Sequence, residues 1–183
     1  SRVLALQEHD AIGHRIAERY ANLNVCRGGE ERADSVLNAL QFLGLREAPE
    51  AWALVHDLAR PCIRMSDVDK LIEFCRQQNS GAVLARPITD TVKQVTDDHG
   101  GCKTIDRSLL WTVQTPQCFK LGELKDALLF CRQENRVVTD EASAIEAVNG
   151  RVHLVEGSAD NIKLTHADDV FLVDHYLALQ ERK

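Results

Sequence analysis

Asp57 and Arg60 are the residues of this chain whose types and spacing first suggest chemistry. The run WALVHDLARPCI sets His56 and Asp57 directly after apolar Ala53-Leu54-Val55, with Arg60 and Pro61 close behind. In parallel α/β sheets ligands bind beyond the carboxyl ends of the strands. A carboxylate in that position suits magnesium or a sugar-like hydroxyl. Pro61 ends helix or strand pairing and leaves Arg60 on a rigid turn. The same spacing equally suits an Asp that caps a helix beside a surface Arg, and the residues alone leave both readings open.

Two further stretches carry candidates. In RGGEERADSV, the pair Gly28-Gly29 at a strand end lets backbone amides approach a flat ligand, with the positive end of a helix close behind. A plain tight turn explains the same pair, and Ser35 is ordinary by itself. In SADNIKLT, Lys163 lies between Ile162 and Leu164, in what reads as a short strand. It could neutralise phosphate there, or simply be the solvated member of an alternation. No Ser-His-Asp arrangement, Cys-His signature or nucleophile elbow is visible. That suits a reaction whose nucleophile is a phosphate monoester, already largely anionic because its second pKa is about 6. An enzyme for such a reaction holds two repelling anions in line and neutralises charge with Mg²⁺, Lys and Arg.

The chain that must position these groups has 183 residues, 44% hydrophobic and 27% charged. That is enough for one domain burying about 70% of its unfolded surface. A net charge of -6 leaves no broad basic face, which argues against general nucleic-acid binding. The apolar runs are too short to span a bilayer, so no membrane partner is expected. Cys26, Cys62, Cys75, Cys102, Cys118 and Cys131 show no C-x-x-C spacing, and no H-E-x-x-H occurs. Structural zinc is thus not expected, and the thiols read as reduced, in a cytosolic protein. The only methionine is Met65, which predicts a missing N-terminal piece.

Short apolar runs alternate with helical periods, the pattern of an α/β protein with a largely parallel sheet. Strands are predicted at Val3–Leu6, Ala53–His56, Ala82–Ala85, in RVHLVEG and in NIKL. A weak helix is predicted over Ala11–Tyr20, and another carries Ala33, Val36, Leu37 and Leu40, with Gly44 just past its end. Ser66 caps a helix bearing Val68, Leu71, Ile72 and Cys75, with Asp69 completing a capping box. Leu121, Leu124, Leu128 and Cys131 mark a further helix. TDEASAIEAVNG starts at Thr139 or Asp140 and terminates at Gly150, and THADDVFLVDHYLALQ closes the chain as an amphipathic helix. Thr91–Thr96 and Lys103–Asp106 flank the turn-rich DDHGG as a β-hairpin. A lone hairpin is marginal in water, so it lies flat on its own domain or packs on a second subunit.

Taken together, GGEERADSV, VHDLARPC, PITDTVK, TIDRSLLW, TPQCF, TDEASA and EGSADNIKLT resemble, in family order, the 2-C-methyl-D-erythritol 4-phosphate cytidylyltransferases of the non-mevalonate isoprenoid pathway. The resemblance implies a Rossmann-like nucleotidyltransferase fold, an α/β three-layer sandwich with a mostly parallel sheet. It implies one cytidylyltransferase domain over residues 1–183, with a protruding hairpin arm over about 87–111. The implied reaction moves CMP from CTP to methylerythritol phosphate and releases pyrophosphate, with Mg²⁺ as the divalent cation. By the same resemblance Gly29, Glu30 and Ser35 face the cytosine nucleotide, and Asp57 and Arg60 lie near the sugar-alcohol substrate, Asp57 also holding the metal. Lys163 steadies charge at the α-phosphate. The arm crosses to a second subunit of a homodimer, so Thr91 and Arg107 complete the partner's pocket, which Thr115 also lines. The setting implied is the bacterial cytosol, ahead of a plastid stroma.

Three departures accompany the resemblance. The family's opening strand and its AAGxGxR…PKQ segment are absent, which predicts poor CTP binding by this chain alone. Leu58 stands where the family usually has Ala, in a position to narrow the nucleotide pocket, and Glu30 replaces the more usual Asp. The alternatives are a sister enzyme using ribitol 5-phosphate, and an inactive nucleotidyltransferase domain that only dimerises.

Overall fold

The apolar run near the start of the chain folds as strand β1 (Arg2–Leu6), paired in parallel with β2 (Leu23–Arg27). Parallel neighbours need a crossover. Helix α1 (Ala11–Ala17) lies in it, capped by the Asp10 carboxylate, which accepts from the Gly13 amide at 2.8 Å. It stops three residues short of the predicted Tyr20. Next come α2 (Arg32–Gly44), β3 (Trp52–Val55), α3 (Met65–Gln78) and β4 (Ala82–Pro87). The hairpin strands are β5 (Val92–Val95) and β6 (Cys102–Ile105), followed by a single 3-10 turn, Arg107–Leu109. Strand β7 (Trp111–Lys120), α4 (Leu121–Gln133), α5 (Glu141–Ala147), β8 (His153–Glu156) and α6 (Asp169–Gln180) complete the chain. This computed structural model describes residues 1–96 and 100–181. The hairpin-turn residues Asp97, Asp98 and His99 of the predicted DDHGG loop lie outside them.

The chain packs as two units, and it passes from one to the other five times. Unit 1 takes residues 1–55, 79–81 and 118–152. In it α2 packs on β1 and β2 and on α4, which in turn packs on α5. Leu37, Leu40, Leu124, Leu128, Cys131 and Ile145 form the buried centre, at the helical spacing the sequence predicts. The Arg32 guanidinium makes a bidentate pair with buried Glu141 at 2.7 and 3.0 Å, tying α2 to α5. A β-carbon on Gly81 would fall 2.1 Å from the Phe119 ring, so that position admits only glycine without repacking.

Unit 2 takes residues 56–78, 82–117 and 153–183. In its sheet β7, β4 and β8 stand in that order, β4 and β8 in parallel with Ala82 opposite His153 and Ala85 opposite Glu156. α3 packs on β4 and β8, and its Leu71 and Cys75 are buried, as are Val83 and Leu84 of β4 and Val155 of β8. β5 and β6 pair antiparallel, Val92 with Ile105 and Val95 with Cys102, as the flanking runs predict.

Several predicted boundaries move for local physical reasons. α3 begins at Met65, one residue before the predicted Ser66 cap, because the Arg64 carbonyl accepts the amides of Asp67 and Val68. Gly44 is the last residue of α2 and not the first beyond it. α5 ends at Ala147, and the residue that turns left-handed beyond it is Asn149, at φ 59°, and not Gly150, whose amide returns to the Ile145 carbonyl. NIKL is no strand: Asn161 to Leu164 are irregular, and the Leu164 amide is taken by the Ala59 carbonyl at 2.7 Å. α6 starts at Asp169, and its residues Val170, Phe171, Leu172 and Leu179 are exposed while Val173 is buried, so it is apolar on more than one face. β7 carries no strand pattern in the sequence, since Gln114, Thr115, Pro116 and Gln117 set polar residues and a proline in its middle.

Candidate active site

The candidate site in unit 2 is built from the turn that follows the Ala53-Leu54-Val55 run and from the irregular segment after β8. The Arg60 amide closes the turn on the Asp57 carbonyl at 2.9 Å, and Pro61, with no amide to donate, ends it. The Leu164–Ala59 bond lays the second segment along the turn. Lys163 Nζ thereby reaches Asp57 Oδ2 at 2.9 Å, the two side chains 43% and 14% exposed. An ion pair so open to water adds little stability. Its effect is to hold a cation and a carboxylate at a fixed place on the protein's rim. Arg60 Nη1 donates to the Asn161 carbonyl at 2.8 Å, so its guanidinium stands beside the same segment. Asp57, Arg60 and Lys163, predicted from separate stretches, converge.

Behind them lies a network of buried polar groups. The Asp57 amide donates to Thr115 Oγ1 at 3.0 Å, and that hydroxyl lies 2.9 Å from His56 Nδ1. His56 Nε2 lies 3.1 Å from the Arg60 carbonyl. Burial holds the His56 ring below the usual imidazole range, against the opposing pull of the Arg60 carbonyl and the Asp57 charge. Fully buried Asn161 donates from Nδ2 to the Thr115 carbonyl at 2.8 Å, and the Gln114 amide donates to the carbonyls of Ser158 and Asn161. Below this, Arg64 Nε and Nη2 both donate to Asp160 Oδ2, at 2.8 and 2.6 Å. Burial raises the Asp160 carboxyl, but the bonds from Arg64 and Gln180 and the Arg64 charge outweigh it and hold the group below its ordinary range.

Thr115 thus belongs to the Asp57 cluster, buried at 5% exposure with its hydroxyl already engaged. Leu58, 72% exposed, projects from the turn itself. Thr91 and Arg107 stand elsewhere in unit 2, at the hairpin: Thr91 precedes β5, and Arg107 Nη1 donates to the Thr89 carbonyl. Gly29, Glu30 and Ser35 belong to unit 1, where Gly29 and Ser35 are bonded to each other. There the Gly29 amide donates to Ser35 Oγ at 2.9 Å and the Gly28 amide to the Leu6 carbonyl at 2.7 Å. A β-carbon on Gly29 would fall 2.2 Å from the Asp34 β-carbon, so the glycine is needed for close approach to α2. Asn161, Gln114 and the linking role of His56 escaped the sequence reading. Their only signal was proximity, Asn161 standing two residues before Lys163 and Gln114 one before Thr115.

Among the described residues no group of three His, Cys, Asp or Glu side chains stands together to hold a metal ion. Asp57 is the carboxylate of the cluster, and one carboxylate plus substrate phosphates is an ordinary set for Mg²⁺. Among the described residues no helix is long and apolar enough to cross a membrane.

The model of the 2-C-methyl-D-erythritol 4-phosphate cytidylyltransferase family matches residues 2–179. The enzyme of that name from Acinetobacter baylyi is 44% identical over 180 residues, covering 98% of this chain and 75% of its own length. Its counterpart from Vibrio vulnificus is 41% identical, covering 98% and 76%. A solved structure of a 4-diphosphocytidyl-2C-methyl-D-erythritol synthase superposes with a TM-score of 0.84 at 36% identity, over 96% of this chain and 81% of the other. The fold class expected from the alternation of strands and helices is therefore the fold of these relatives.

Proposed function

The chain belongs to the 2-C-methyl-D-erythritol 4-phosphate cytidylyltransferase family, and from that premise we propose that it moves CMP from CTP to methylerythritol phosphate and releases pyrophosphate. The observation that carries this reading is the Asp57–Lys163 pair at 2.9 Å with Arg60 beside it, at the edge where α/β sheets take their ligands.

An oxygen of the acceptor's phosphate attacks the α-phosphorus of CTP. As that bond forms, the bond to the bridging oxygen breaks, and pyrophosphate leaves with the electron pair. The acceptor phosphate is already ionised, so no side chain need remove a proton. What the protein must supply is placement and positive charge. Lys163 supplies charge at the α-phosphate, pre-aimed by Asp57. Arg60 holds the turn and adds charge behind it. Asp57 receives the acceptor's hydroxyls and is the residue to hold Mg²⁺, which when bound neutralises phosphate charge. Thr115 lines the pocket by fixing Asp57. Gly29, Glu30 and Ser35 form the face for the cytosine ring, whose flat shape suits a glycine surface. Leu58, exposed on the turn, narrows the entrance to the nucleotide. The chain acts as a homodimer whose hairpin arm brings Thr91 and Arg107 to the partner's acceptor pocket, in the bacterial cytosol.

The test is pyrophosphate release from CTP and Mg²⁺, with methylerythritol phosphate and ribitol 5-phosphate compared as acceptors. Release with methylerythritol phosphate at the higher kcat/KM is expected. Faster turnover of ribitol phosphate overturns the substrate, and no release with either acceptor overturns the activity.

A further inference from the structure

The pocket assigned above leaves His56 without a role, although its ring meets the Arg60 carbonyl at one end of the turn that carries Asp57 and the Thr115 hydroxyl that receives the Asp57 amide at the other. Resting on that functional reading, we propose that His56 is a positioning residue: it aims the Thr115 hydroxyl so that oxygen, and not hydrogen, meets the Asp57 amide, and thereby fixes the Asp57 carboxylate against Lys163.

The direction of each hydrogen bond follows from what each atom can do. A backbone carbonyl only accepts, so the contact of 3.1 Å between His56 Nε2 and the Arg60 carbonyl requires the proton on Nε2. A ring with that single proton leaves Nδ1 as an acceptor, 2.9 Å from Thr115 Oγ1, and the hydroxyl proton must lie on that line. The hydroxyl oxygen then turns a lone pair to the Asp57 amide at 3.0 Å. With nothing at Nδ1 the hydroxyl rotates among its staggered positions, some of which set hydrogen against the amide hydrogen. His56 thus pins the entrance of the turn through Thr115 and its exit through the Arg60 carbonyl. Asn161 holds Thr115 from the other side, donating to its carbonyl at 2.8 Å while its own carbonyl receives Arg60 at 2.8 Å. Thr115 is clamped at hydroxyl and carbonyl by one residue adjacent to Asp57 and another two before Lys163.

Three measurements on the full chain test this. Long-range ¹H–¹⁵N correlation through the imidazole, at one pH, should show His56 with Nε2 protonated and Nδ1 bare; the opposite tautomer overturns the proposal. Hydrogen exchange should show the Asp57 amide losing about tenfold protection or more in His56→Ala, the scale of one buried hydrogen bond. The Gly157 amide, bonded to Ala85 within the sheet, should stay unchanged. His56→Asn, whose side-chain oxygen still accepts from Thr115, should recover most of the protection. Equal exchange in wild type and His56→Ala, or no recovery in the Asn variant, refutes it. In turnover normalised to folded protein, His56→Ala should lower kcat by about tenfold with the KM for CTP unchanged, and His56→Asn should restore it. A wild-type chain without turnover counts against the functional reading alone, since the tautomer and exchange measurements still decide the placement of Asp57. If His56→Ala does not fold, the wild-type tautomer and the Asn variant decide it.

Discussion

Lys163 and Asp160 are both charged groups held by an oppositely charged neighbour, and the degree of burial separates what each can do. Lys163 is nearly half exposed and pairs with Asp57, so removing it should cost little stability, and on the proposed mechanism the loss falls on turnover. Lys163→Ala should lower kcat by about 100-fold or more while the KM for CTP moves within about threefold, read by steady-state kinetics with saturating acceptor. Unchanged turnover removes Lys163 from the reaction. Asp160 is buried, and its carboxyl is held below the ordinary range by Arg64 and Gln180 despite desolvation. A depressed folded-state value means the pair stabilises the fold above the unfolded carboxylate pKa, about 3.9, and that this contribution disappears as pH falls through the lower folded value. Urea midpoints measured from pH 6 down to the acid transition should therefore fall more steeply in wild type than in Asp160→Asn, which begins lower and changes less. Parallel curves would mean that Asp160 takes no part in acid unfolding.

At the scale of elements, the helices, the apolar strands and the two hairpin strands can be read from the sequence, and β7 cannot. β4 shows itself as AVLA, and α4 by Leu121, Leu124, Leu128 and Cys131, because burial of one face leaves a period. β7 conceals itself because Gln114, Thr115 and Gln117 are buried polar residues, the first two with hydrogen-bond partners that lie far away in sequence. Asn161–Leu164 misleads in the opposite direction: its apolar alternation imitates a strand, yet its amides serve a turn. Type and spacing leave Asp57, Arg60 and Lys163 open between a site and an ordinary surface, and only the family resemblance singles them out, whereas the His56–Thr115–Asn161 support has no signal at all, since hydrogen-bond direction leaves no sequence pattern. The end of α5 offers a test at this scale. Asn149 holds φ at 59°, a conformation costly for a β-branched residue. Asn149→Val should lower stability by about 1–2 kcal/mol and Asn149→Gly should leave it unchanged or raise it, as urea midpoints report. Equal losses in both would place the effect in the side chain and not the backbone.

For the molecule as a whole, the exposed apolar residues of the hairpin region bear on assembly. Val95 and Leu109 are 70% and 83% exposed, apolar area that the proposed dimer would cover. Light scattering should give twice 20.5 kDa for the wild type, and Leu109→Asp should shift it toward a single chain with a parallel fall in acceptor turnover. A wild-type monomer with full turnover would remove Thr91 and Arg107 from any shared pocket. The path of the polypeptide has a different consequence. Because the backbone alternates between the two units, neither is a contiguous stretch of gene. No single crossover in recombination can lend one half to another protein or replace it with a foreign version. The half that bears the glycine pair and the half that bears the Asp57 turn are obliged to be inherited together, and to drift in step.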